Sequence, residues 1–171
     1  MKRILILLMF IISCAISIFA QDKNNVCYKW QTQVDPKLER IEIDESSLND
    51  NETLEAINCF LSLKGNKNQA RFTGYTNVST NVASTPPRIK KSASVEIAAL
   101  YYISYIFYNN WEHAGSVRLY DENTEESNSK RNVKRAFKSY QEWYKRLSEF
   151  GLQKAREQKL DPLENSGISW S

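Results

Sequence analysis

Lys130–Phe150 reads KRNVKRAFKSYQEWYKRLSEF, and its spacing decides the fold class. Val133, Phe137, Tyr140, Tyr144 and Leu147 fall at i, i+4, i+7, i+11 and i+14, with Ala136, Trp143 and Phe150 beside the seam. An apolar period near 3.6 sustained over the whole stretch predicts one long amphipathic helix. Gly151 interrupts it, Leu152–Lys159 resumes the helical pattern, and Asp161-Pro162 breaks the chain. Beyond the break, Leu163, Ile168 and Trp170 carry too much apolar surface for a free end, which predicts a strap folded back on the body.

Upstream, Val95–Tyr108 (VEIAALYYISYIFY) is apolar on almost every face, with Ser94 placed to cap it and Glu96 in its first turn. A helix greasy all round is buried centrally, and this one falls short of the ~20 residues of a membrane span. Tyr101, Tyr105 and Tyr108 share one face; they read as core phenols reaching polar edges, with a pocket-lining stripe as the functional alternative. A third helix is expected over residues 52–64, capped by Asn51, with Leu54, Ile57 and Leu61 as its stripe and Gly65 as its stop. Residues 21–34 read as a polar arm. Asp35-Pro36 suits a helix start while residues 40–44 alternate like a strand, and the sequence does not decide between them; Ser116–Tyr120 is equally a strand or a helix start. The expected architecture is mostly α: a single domain over 21–171, a small bundle of three to five helices with a long irregular connection (66–91) and a C-terminal strap. Long connections are often functional, so 66–91 is the first place to seek a binding segment, with Phe72 and Tyr75 as its anchors if it merely hugs the surface.

The first 20 residues have three parts: a cationic Met1-Lys2-Arg3, an apolar run from Ile4 to Ile12, and a small-residue end at Ala20 before the polar Gln21-Asp22-Lys23. This is the pattern of a secretory signal peptide cleaved near Ala20, and it predicts a secreted or periplasmic protein. Ile11-Ile12-Ser13-Cys14 also reads as a loose lipobox, which would make Cys14 a lipidation site and tether the protein by lipid. No other stretch reaches membrane-spanning length. Removing residues 1–20 takes Lys+Arg from 23 to 21 against 20 Asp+Glu, so the mature chain has no bulk charge that would seek nucleic acid. Two cysteines then remain, Cys27 and Cys59. An even count in an oxidising compartment predicts a disulfide pinning the arm to the first core helix.

The chemistry-bearing motifs are few. Neither phosphate-binding glycine loops nor H-E-x-x-H or G-x-S-x-G occur, and one histidine, His113, cannot build a Cys/His metal cluster. No cofactor is expected. His113 in Trp111-Glu112-His113 reads as a cap on the tyrosine-rich helix before it reads as a base. Acid pairs such as Glu42 with Asp44 or Glu125 with Glu126 keep a small envelope-polymer hydrolase open as the competing function. Lys130, Arg131, Lys134, Arg135 and Lys138 form the one basic cluster. They sit at a helix N-terminus, where positive charge opposes the dipole; a solvated face is the plain reading and an acidic partner the functional one. The sequence therefore points to an exported helical binding or interaction protein rather than an enzyme, its partner another envelope protein. Trp111, His113, Lys130, Arg131, Lys134 and Arg135 are its candidate contact residues, and a lipid-tethered structural factor is a third option.

Overall fold

Trp30 has no exposed surface, although it sits in the stretch expected to be a polar arm. The computed structural model describes residues 26–71, 93–109 and 117–171. The expected signal peptide with Cys14, most of the 66–91 connection, Trp111 and His113 lie outside them. Within them, five α-helices run in the order α1 (Tyr28–Gln31), α2 (Asp50–Leu61), α3 (Val95–Tyr108), α4 (Lys130–Phe150) and α5 (Leu152–Glu157). Two short strands, β1 (Leu119–Asp121) and β2 (Ile168–Trp170), complete the elements, with a 3-10 turn at Glu45–Ser47. The protein is a small mostly α-helical fold, and α3 and α4 keep the bounds read from their sequence.

The arm is core. Tyr28, Trp30, Thr32, Gln33 and Val34 are all buried, and Trp30 packs on Phe60 of α2 while its indole N–H donates to Glu55 Oε1 at 3.1 Å. The Cys27–Cys59 disulfide joins this segment to α2, as the cysteine count predicts. Arg71 holds it from the other side, its backbone N–H bonding Val34 O at 2.8 Å and its guanidinium gathering the carbonyls of Thr32, Asp35 and Leu38. Four helical residues are too few to show a period, which is why polarity alone misreads the segment. Asp35-Pro36 forms a turn in which the Asp35 carboxylate accepts the Lys37 N–H at 2.9 Å; residues 40–44 form neither helix nor strand.

Helix α2 starts two residues earlier than its expected span. Asn49, not Asn51, is the N-cap, in a capping box with Glu52, and the helix ends at Leu61 rather than 64. Ser94 precedes α3 without capping it by its side chain; its backbone instead forms an antiparallel bridge with Gln69. Ala70 N–H bonds Ala93 O at 2.8 Å, so the chain leaves for residue 72 and returns at residue 93 from one point. Buried Glu96 accepts the Gly65 N–H at 2.8 Å and the Lys67 ammonium, which fixes the turn after α2 against the start of α3.

Helix α3 is buried along almost its whole length and packs on α2 and α4. Ser129 caps α4 through the Asn132 N–H. At the far end Gly151, with φ +81°, lets the chain turn directly into α5, a backbone state that side chains resist. Of the Ser116–Tyr120 stretch, Leu119 and Tyr120 belong to strand β1 rather than to a helix start, because the strap supplies a partner: β1 pairs antiparallel with β2, Leu119 opposite Trp170 and Asp121 opposite Ile168.

The strap packs where its apolar residues predict. Leu163 and Ile168 are buried, and the Trp170 ring meets Tyr101 edge-on at 5.4 Å while its N–H donates to Tyr140 Oη at 3.0 Å. Replacing Trp170 by Ala removes about 2 kcal/mol of apolar burial and ring contact. The expected result is a melting temperature several degrees lower, read by calorimetry; an unchanged midpoint would mean that the strap adds nothing to the fold.

Candidate functional site

Where α3, the end of α5 and the strap meet, they leave a cleft of about 600 Å³. Its floor is apolar and buried: Phe107 from α3, Pro162 and Leu163 after the chain break, and Ile168 from β2. Trp170 and Tyr108 stand half-buried on its walls. Behind the floor, fully buried Tyr140 accepts the Trp170 N–H and shares a 2.5 Å hydrogen bond with Ser104, so one phenol ties the Trp170 wall to α3. Burial raises the Tyr140 phenol despite these two bonds, and burial with the nearby Asp161 charge raises Tyr108, so both stay protonated across the physiological range. Of the tyrosine stripe, Tyr101 is core and Tyr108 faces the cleft, while Tyr105 borders a smaller hollow on the other side of Arg156. That hollow also contains Glu45, whose carboxyl burial pushes up.

Three exposed charged residues rim the cleft: Arg156, Lys159 and Asp161. Arg156 bonds the Phe107 and Ile106 carbonyls through Nε (2.7 Å) and Nη2 (2.9 Å), capping the C-terminus of α3. His113, the cap expected from the sequence, lies outside the described residues. The end-on edge of Arg156, Nη1 with the second N–H of Nη2, has no acceptor among the described residues. Lys159 closes α5 in a two-bond turn, its N–H to Arg156 O at 3.0 Å and the next N–H, of Leu160, to Ala155 O at 2.9 Å. Glycine is the usual residue there. Lys159 sits at φ +49°, a left-handed backbone that costs a side-chain-bearing residue about 1 kcal/mol. Asn, which tolerates that state, occupies three of the five such non-glycine positions, so a lysine stands out. Asp161 turns one oxygen inward, accepting the Leu163 N–H at 2.8 Å.

None of the three rim residues is among the contact candidates the sequence offers. The Asp161-Pro162 break and Tyr108 of the tyrosine stripe pointed here; the rest depends on two ends of the chain meeting. The basic cluster divides. Lys130, Arg131 and Lys134 are exposed at the start of α4, whereas Arg135 turns inward to Asp121 Oδ2 at 2.5 Å and to the Ser166 carbonyl, clamping the strap. Gly167 completes that clamp, because a Cβ there would sit 2.9 Å from Arg135 Nη2. Burial raises the Asp121 carboxyl, but the Asn123 N–H and the Arg135 charge outweigh it and hold the group below its ordinary value. Its stabilisation is therefore present above the unfolded carboxyl range and fades as pH falls through the folded value. Replacing Lys130 and Lys134 by Gln is expected to change stability by less than about 0.5 kcal/mol. Arg135→Gln should lower the melting temperature by several degrees near neutral pH, with the gap from the native protein narrowing in acid. A pH-independent gap would show that the ion pair is not its source.

Among the described residues, no helix is long and apolar enough to cross a membrane, and no cluster of three or more His, Cys, Asp or Glu side chains is arranged to hold a metal ion. The disulfide fits an extracellular protein. No family model, curated protein or solved structure matches the chain.

Proposed function

We propose that this is an exported binding protein of the periplasm or cell envelope, and that it holds its ligand or partner in the cleft between α3 and the strap. The cleft carries the reading. It is concave, its floor is apolar and preformed, and a few polar groups converge on its rim, the usual anatomy of a binding site. The disulfide and the signal-like leader support the compartment. A binding role suits the charge inventory better than two-acid hydrolysis does, since the described residues of the cleft lining contribute one carboxylate, Asp161, where that chemistry uses a pair.

The test compares the native protein with Ser169→Trp, which adds bulk at a cleft-lining position of β2. Both are incubated with extract of the envelope fraction, and the retained molecules are identified by mass spectrometry. Retention by the native protein, lost in the variant with the fold unchanged by circular dichroism, supports the proposal. Identical retention by both proteins places binding elsewhere and sinks it.

A further inference from the structure

We infer that the cleft selects small carboxylic acids with an aromatic body, a deepening that rests on the binding reading above. Three observations converge. First, the floor and walls offer Phe107, Tyr108 and Trp170 around a volume of about 600 Å³, within the size range of sites that enclose small molecules. Aromatic walls favour an aromatic guest by edge and face contacts.

Second, the rim charge is uneven. Among the described lining residues, Arg156 and Lys159 supply two cations against the carboxylate of Asp161; the Asp50 charge also acts on Arg156, but neither cation makes an ion pair among the described residues. The guanidinium is already oriented, because its inner edge is tied to the Ile106 and Phe107 carbonyls. The edge left over has the planar, two-donor geometry that a carboxylate accepts. A carboxylate that reaches this edge meets a fork that needs no further ordering.

Third, Lys159 occupies a left-handed position that glycine fills at less cost. Its φ is a local expense with no packing return, since the side chain is exposed. An ammonium held at the mouth of the cleft gives that lysine a use.

The experiment is calorimetric titration of the exported, disulfide-bonded protein with 4-phenylbutyrate and with its neutral amide. The two probes share an aromatic body and differ in the carboxylate. The acid is expected to bind at least about tenfold more tightly than the amide, with the difference shrinking as salt is added. Lys159→Gly should melt no lower than the native protein, because it relieves the left-handed strain, and should lose most of the preference for the acid. Arg156→Gln should lose it too; since that change also uncaps α3, Lys159→Gly keeps the test independent of folding. Equal binding of acid and amide overturns the inference and leaves the cleft a binding site. Binding of neither probe also overturns it, and the Ser169→Trp comparison then decides whether the broader reading stands.

Discussion

Replacing Trp30 by Ala should cost about 3–5 kcal/mol, the usual range for emptying a fully buried aromatic site. Trp30 has no exposed surface, its ring lies 6.5 Å from that of Phe60, and Val34 is sealed with it in the same core. Against a domain stability of roughly 5–15 kcal/mol, the loss is a large share of the total, and the melting temperature should fall by about 10 °C. Little of it belongs to the indole hydrogen bond, because Glu55 is partly exposed and also lies 3.7 Å from Lys29. Trp30→Phe should therefore recover more than half of the loss. Chemical denaturation reads both variants. A loss below about 1 kcal/mol for the Ala variant would mean that residues 28–34 cover the core without belonging to it.

The misreading of that segment shows where sequence patterns stop working. α4 was legible because its apolar spacing repeats over about six turns, and α3 because an uninterrupted apolar run of 14 residues reads as a centrally buried helix. α1 has four residues, and its burial comes from partners distant in the chain: Cys59, Phe60 and Arg71. The α2 start was legible in principle. Asn49, Asp50 and Asn51 all make good caps, but only Asn49 has a Glu three residues on, and that reciprocal bond decides the boundary.

The strap was legible as apolar surface on a tail, but its strand was not. Pairing is a property of two segments, and Leu119–Asp121 shows nothing local that names Ile168–Trp170 as its partner. The cleft follows the same logic at greater range. Phe107 and Trp170 come together only because Tyr140 holds the strap against α3, and Arg156 reaches the end of α3 only because Gly151 turns α5 back. Arg135 was visible as a charge, yet whether it faced solvent or Asp121 depended on the loop after β1.

Removing the disulfide by Cys27→Ala with Cys59→Ala should cost about 3–4 kcal/mol, the loop-closure value for two residues 32 positions apart. In that account the loss lies mainly in the unfolded chain, which gains freedom once its ends are released. The folded arm keeps its other two fastenings. Trp30 stays in its pocket on α2, and Arg71 still binds the carbonyls of Thr32, Asp35 and Leu38. Two measurements separate these contributions. Denaturant unfolding should show the full drop in stability. Native-state hydrogen exchange should show the Gln33 and Val34 amides, which donate to Trp30 O and Gln31 O, still protected nearly to the new global limit. Fast exchange there, with the remaining helices protected, would assign the docking of the arm to the disulfide rather than to Trp30 and Arg71. Unchanged stability would rule out a loop-closure contribution from the bond, leaving the arm held by packing and hydrogen bonds alone.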